Sequence, residues 1–196
     1  MRIDNKRLNL VMELSRLDGT KVFVHSAALP TEVFEQYWDL AGRTLNALYA
    51  RDFGLYAQRF ASKMLLKVAR ESGGKDPQRQ EAEVTRAERG FLAEIRRLTN
   101  VFALTDKGWK LIPFEDASHD GTLDEAEIDE VDNGIVFFTC ASRIWLKSQA
   151  DELTGALSVL NARTDSLECT AFRSFLATLT EAENSGATAT PSSPAS

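Results

Sequence analysis

The sequence predicts an α+β fold that is mainly helical: a helical domain with an N-terminal β-hairpin over about 8–25, a second short hairpin further on, and a disordered C-terminal tail. Three observations predict it. One stretch alternates apolar and polar residues before a turn-forming tetrad, and two short apolar runs flank a second such tetrad, as the strands of hairpins do. Most of the remaining chain repeats its apolar residues at helical spacing. The last residues carry no apolar side chain larger than alanine. Residues 1–182 are accordingly read as one domain and 183–196 as a Ser/Thr/Pro-rich tail. The length of 196 residues suits a single domain with a core of its own.

In the first hairpin, Leu8, Leu10, Met12 and Leu14 alternate with Asn9, Val11 and Glu13, as in a half-buried strand. Leu17-Asp18-Gly19-Thr20 supplies the turn, since Asp-Gly tolerates positive φ. Lys21-Val22-Phe23-Val24-His25 returns with β-branched and aromatic residues. A lone hairpin is marginal in water, so this one must dock on something.

Pro30 and Thr31 open a helix, with Thr31 as its cap and Glu32 near the positive end of the dipole. Phe34, Tyr37, Trp38, Ala41, Leu45 and Leu48 form one wide apolar face. A second helix after Gly54 carries Tyr56, Phe60, Met64, Leu65 and Val68, and Gly73-Gly74 stops it. A third is predicted from about Arg79 to Asn100, with Gly90 its weak point. Val101–Leu104 and Trp109–Ile112 flank Thr105-Asp106-Lys107-Gly108 as the second hairpin. A helix from about Thr122 to Ser148 places Ile128, Val131, Ile135, Phe138 and Trp145 on one stripe, with Asn133-Gly134 its weak point. Two shorter helices, near Asp151 to Asn161 and Thr170 to Thr180, complete the domain. From Glu183 onward the chain cannot offset the entropy of its own ordering.

Composition narrows the function. The net charge of −6 runs against binding a nucleic-acid duplex, which wants a basic face. Arg86, Arg89, Arg96 and Arg97 are interleaved with Glu83, Glu88 and Glu94, as on a solvated mixed-charge helix face. No apolar stretch approaches the roughly 20 residues a bilayer requires, and Met1–Arg7 lacks the apolar run of a secretory signal. No nucleic acid and no membrane are therefore expected as partners. Cys140 and Cys169 have no metal-clip or redox spacing and read as reduced thiols in or near the core.

No catalytic residue is assigned and no cofactor is expected. His25 ends a strand and reads as a surface or rim residue; His119 lies in an acidic connection and reads as solvated. There is no Gly-x-Ser-x-Gly elbow and no phosphate loop. One string has the form of a twelve-position calcium loop: Asp116, Ser118, Asp120, Thr122, Asp124 and Glu127, with Gly121 at the sharp turn. Gly108 and Pro113 interrupt the helix that should enter it, so the favoured reading is an acidic connection capping the next helix. The remaining conspicuous feature is aromatic. Phe34, Tyr37, Trp38, Tyr49, Tyr56 and Phe60 amount to more aromatic surface than two packed helices need, which makes them the candidate partner-binding residues.

The phrases Val22-Phe23-Val24-His25-Ser26-Ala27, Glu32-Val33-Phe34-Glu35-Gln36-Tyr37 and Leu92-Ala93-Glu94-Ile95-Arg96-Arg97-Leu98-Thr99-Asn100-Val101 carry a family likeness. So do Gly134-Ile135-Val136-Phe137-Phe138-Thr139, Thr164-Asp165-Ser166-Leu167-Glu168-Cys169-Thr170 and the closing Pro191-Ser192-Ser193-Pro194-Ala195-Ser196. Together they resemble tailed-bacteriophage and prophage proteins of the tail-gene region, a group associated with tail-assembly chaperones. The likeness covers most of the chain and contains no catalytic signature. It implies a protein of the bacterial host cytoplasm that binds the long helical tape-measure protein, helps recruit tail-tube subunits, and is not retained in the virion. A structural minor tail or head-tail component and a calcium-binding interaction protein stay open beside it.

Overall fold

A computed structural model describes residues 8–51, 54–145 and 149–184. Its centre is a five-stranded antiparallel sheet in the order β4-β3-β2-β1-β5. The first hairpin supplies β1 (Asn9–Ser15) and β2 (Lys21–Ser26). Gly19 takes φ +77 at the turn, and Asp18 accepts a hydrogen bond from the Thr20 amide at 2.9 Å. The second hairpin supplies β3 (Thr99–Thr105) and β4 (Gly108–Pro113), with Gly108 at φ +95. The first hairpin was legible from period-two alternation and the second from its short apolar runs flanking a turn tetrad. The strand β5 (Ala162–Asp165), which pairs with β1, was not expected.

The helices divide between the two faces of the sheet. One face carries α1 (Thr31–Ala50), α2 (Ala61–Ser72), α5 (Phe114–His119), α6 (Glu125–Ile144) and α7 (Ala150–Ser158). Leu10, Met12, Leu14, Val22, Val24, Val101 and Ile112 point into this layer and form the main core with it. The other face is covered by α8 (Cys169–Asn184), where Phe172 and Leu176 pack on Val11, Phe23, Phe102 and Trp109. The predicted half-buried strand is therefore corrected: β1 is covered on both sides. The prediction failed because the cover on the second face comes from a segment more than a hundred residues away.

Four helices also differ from expectation at their boundaries. The second helix begins as a 3-10 segment (Gly54–Phe60) before α2 takes over. The third is α3 (Pro77–Arg86), a π-helical segment (Ala87–Leu92) and α4 (Ala93–Arg97), and Thr99 and Asn100 belong to β3 instead. The π segment coincides with Gly90, where an added Cβ would stand 2.0 Å from Tyr37 Oη. The cap of α1 is Pro30, with Thr31 the first helical residue. α8 runs to Asn184, past the expected start of the tail at Glu183; residues 185–196, the rest of that tail, lie outside the described residues.

α6 runs unbroken through Asn133 and Gly134, which serve packing. Asn133 Oδ1 accepts from Ser62 N at 3.0 Å and Ser62 Oγ at 2.8 Å, tying α6 to the start of α2. Gly134 lets α6 approach β1. Asp124 caps α6 through a reciprocal box with Glu127, as the acidic connection predicted. Among the described residues no helix is long and apolar enough to cross a membrane.

Candidate partner-binding surface

The six aromatic residues singled out by sequence separate into two sets. Phe34 and Tyr37 are partly buried against the main core. Tyr37 lies 5.3 Å from the Phe91 ring and 5.7 Å from the Arg86 guanidinium; Arg143 lies 5.9 Å from the Phe34 ring. These two consolidate α1 against its neighbours. Trp38, Tyr49, Tyr56 and Phe60 are instead exposed, Trp38 most of all at 64%.

Helical geometry explains the difference. Ala41, Thr44, Leu45 and Leu48 define the buried face of α1. At 100° per residue, Trp38, Gly42 and Tyr49 fall within about 40° of one another, just outside that face. The C-terminal end of α6 lies along the same line. Ile144 Cδ1 comes 4.0 Å from the position a Cβ of Gly42 would take, and the Trp145 ring lies 5.9 Å from that of Tyr49. Trp38, Gly42, Ile144, Tyr49 and Trp145 thus form one apolar strip. From Trp38 to Tyr49 it spans about 16 Å along α1, three helical turns.

Trp145, expected on one stripe with Ile128, Val131, Ile135 and Phe138, is half-buried against the main core. It follows the last turn of α6 with extended backbone (φ −70, ψ 144), leans on Phe137 at 6.0 Å, and completes the strip. Ile144 and Gly42 were missed. The one available signal was the i, i+4, i+11 spacing of Trp38, Gly42 and Tyr49, which carries no information about α6. The strip is anchored below by Arg143, which donates to the carbonyl of Leu29 and to Thr31 Oγ1 at 3.4 Å. Partial burial raises the pKa of the Tyr49 hydroxyl. Tyr56 and Phe60 stand on the 3-10 segment, with Arg59 5.9 Å from the Tyr56 ring.

The calcium-loop string does not assemble into an oxygen cage. Asp116 and Ser118 are helical residues of α5, and Ser118 Oγ donates to the Phe114 carbonyl at 2.8 Å. Hydrogen bonding from the Thr122 side chain, and from the Thr122 amide at 2.9 Å, lowers the pKa of Asp120. Both oxygens of Glu127 are engaged: Arg16 donates to them at 2.6 and 2.8 Å, and the Asp124 amide adds a third bond at 3.0 Å. These bonds join the first hairpin to the start of α6. Among the described residues no group of three or more His, Cys, Asp or Glu is placed to hold a metal ion.

His25 corrects the expectation of a surface or rim residue: it is 1% exposed. Its Nε2 is 2.9 Å from the Leu167 carbonyl, which also accepts from Asn9 Nδ2 at 2.8 Å, and its ring lies 5.6 Å from Phe172. It pins the approach to α8 onto the sheet. Arg96 also departs from the expected solvated face, since Asp132 (7% exposed) takes both its Nε, at 2.9 Å, and its Nη2. Arg97 stays on the surface with Glu94. His119 is exposed.

The concave surfaces are shallow clefts. One of about 280 Å³ lies between α1, α2 and α3 and is lined by Tyr37, Asp39, Arg43, Ser72, Glu83 and Arg86 among others. Its charged groups are already paired, Asp39 with Arg43 and Glu83 with Arg86. Comparison with family profiles, with curated proteins and with solved structures found no match to this chain.

Proposed function

We propose that this chain works by holding other proteins, as a phage tail-assembly chaperone. On this reading it binds the helical tape-measure protein, helps recruit tail-tube subunits, and leaves before the virion is complete. The observation that carries the reading is the apolar strip along α1, with Trp38 and Tyr49 standing out from a folded surface. Exposed Trp and Tyr are the side chains that anchor protein interfaces, and a three-turn strip matches an amphipathic helix presenting residues i, i+4, i+7 and i+11. Burying an exposed ring of this size contributes about 2 kcal/mol, so a few anchors give binding that is specific and still reversible. The likeness to tail-gene proteins supplies the identity of the partner. The acidic charge suits a protein that works among other proteins and stays off nucleic acid.

The test is an affinity capture of tagged protein from host cells producing the phage, with mass spectrometry of purified particles beside it. The expected result is tape-measure and tail-tube proteins in the capture and none of this chain in the particles. The chain as a stoichiometric part of the particle would replace the chaperone by a structural tail component. Trp38→Ala is the matched control: the side chain is 64% exposed, so its loss costs the fold no more than about 0.5 kcal/mol while removing the anchor.

A further inference from the structure

The charge beside the strip specifies what kind of helix it takes. Glu32, Glu35 and Asp39 are all exposed on α1. At 100° per residue they lie within about 60° of one another and border the line of Trp38 and Gly42 on its solvent side. They form one acidic stripe over the first two turns of α1, beginning about 9 Å before Trp38 and ending beside it at Asp39. Their cations are sparse: Asp39 has Arg43 at 3.8 Å, and Arg143 is turned under the strip toward the Leu29 carbonyl. Towards the Tyr49 end the same flank carries Asn46, which is uncharged. The strip is thus apolar along its length, and an acidic stripe extends beyond its Trp38 end.

We propose that the occupant of this strip is an amphipathic α-helix that is basic at one end, its Lys or Arg side chains placed to face Glu32, Glu35 and Asp39. This rests on the binding role proposed above and adds its specificity. The apolar contacts provide the anchor, and the charge stripe fixes which way the helix lies and rejects acidic helices, since like charges set against one another cost affinity.

The experiment titrates the full chain with two synthetic helical peptides of about 20 residues, followed by tryptophan fluorescence and calorimetry. Both carry Leu at i, i+4, i+7 and i+11; one has Lys and the other Glu on the two turns leading up to the first Leu. The Lys peptide should bind about ten-fold tighter at low salt and lose that advantage at high salt. The double variant Glu35→Lys, Asp39→Lys should reverse the preference, and Trp38→Ala should weaken both. Equal binding of the two peptides, still dependent on Trp38, would overturn the charge specificity and leave the binding role intact. Binding of neither, or binding indifferent to Trp38→Ala, would overturn the strip as a helix site; the capture experiment decides separately whether the chaperone role survives. A chain that dimerises on its own and loses dimerisation with Trp38→Ala would place a second copy in the strip and overturn the proposal as well.

Discussion

Gly134 of α6 faces Met12 of β1 so closely that a Cβ on the glycine would stand 2.5 Å from the Met12 sulfur and 2.7 Å from its terminal methyl. Met12 is fully buried and has little space to retreat into. Gly134→Ala should therefore destabilise the protein by about 1 kcal/mol, an overpacking cost of roughly 1–3 kcal/mol less the roughly 1 kcal/mol that alanine contributes to a helix. In a Met12→Ala background the collision disappears, and Gly134→Ala should turn stabilising by about the same amount. Chemical denaturation of the four proteins checks this. A penalty that persists without Met12 would mean that the close approach is not what requires glycine.

The pair Arg96 and Asp132 should respond asymmetrically. Asp132 is nearly buried while the Arg96 side chain keeps 30% of its exposure, so an orphaned carboxylate is worse placed than an orphaned guanidinium. Arg96→Met should cost about 2–4 kcal/mol, and Asp132→Asn distinctly less. Equal losses from the two variants in urea denaturation would show that both charges reach water.

The cover of the sheet's second face depends on a few bonds to α8. Trp109 Nε1 donates to the Leu176 carbonyl at 3.1 Å, and Arg173 Nε donates to the Trp109 carbonyl at 3.2 Å. Trp109→Phe keeps a ring against Phe23 but removes the indole donor, at a cost of about 1 kcal/mol. Hydrogen exchange should quicken in α8 and leave α6 unchanged, because the loosening is local. Uniform quickening across both helices would contradict a separately attached α8.

How far the sequence reached follows from which residues act locally. The two hairpins were legible because the alternation of the first, the short apolar runs of the second and their Gly19 and Gly108 turns are local signals. Strand β5 was not: Ala162-Arg163-Thr164-Asp165 has one apolar residue, and its extended form depends on pairing with β1. His25 reads as polar and therefore peripheral, yet it is buried by a segment 142 residues further along. Asn133 and Gly134 read as helix breakers, yet one bonds to Ser62 and the other makes room for Met12. The aromatic set was visible as a set. Which members are anchors and which are packing depends on α6 reaching Gly42 and on Phe91 lying under Tyr37, and neither is written in the spacing of α1.

The two thiols should be poorly reactive. Burial pushes Cys140 up to about 12, and partial burial beside Glu168 raises Cys169 as well. Burial penalises the anion, so any stability Cys140 contributes is complete below the ordinary thiol range near about 8.5 and fades as pH rises toward 12. A thiol reagent at pH 8 should label Cys169 slowly and leave Cys140 unlabelled until denaturant is added. Rapid labelling of Cys140 in the native protein would show that α6 opens readily.

The most direct measurement of the binding role places a photo-cross-linking amino acid at position 38, in host cells expressing the tail genes. Position 107, in the exposed turn between β3 and β4, serves as control. The account predicts a cross-link from position 38 to a helical, Lys- or Arg-flanked segment of the tape-measure protein, and none from position 107. Cross-links from 107 with none from 38 would contradict it, because the partner would then bind elsewhere and the strip along α1 would not be its site.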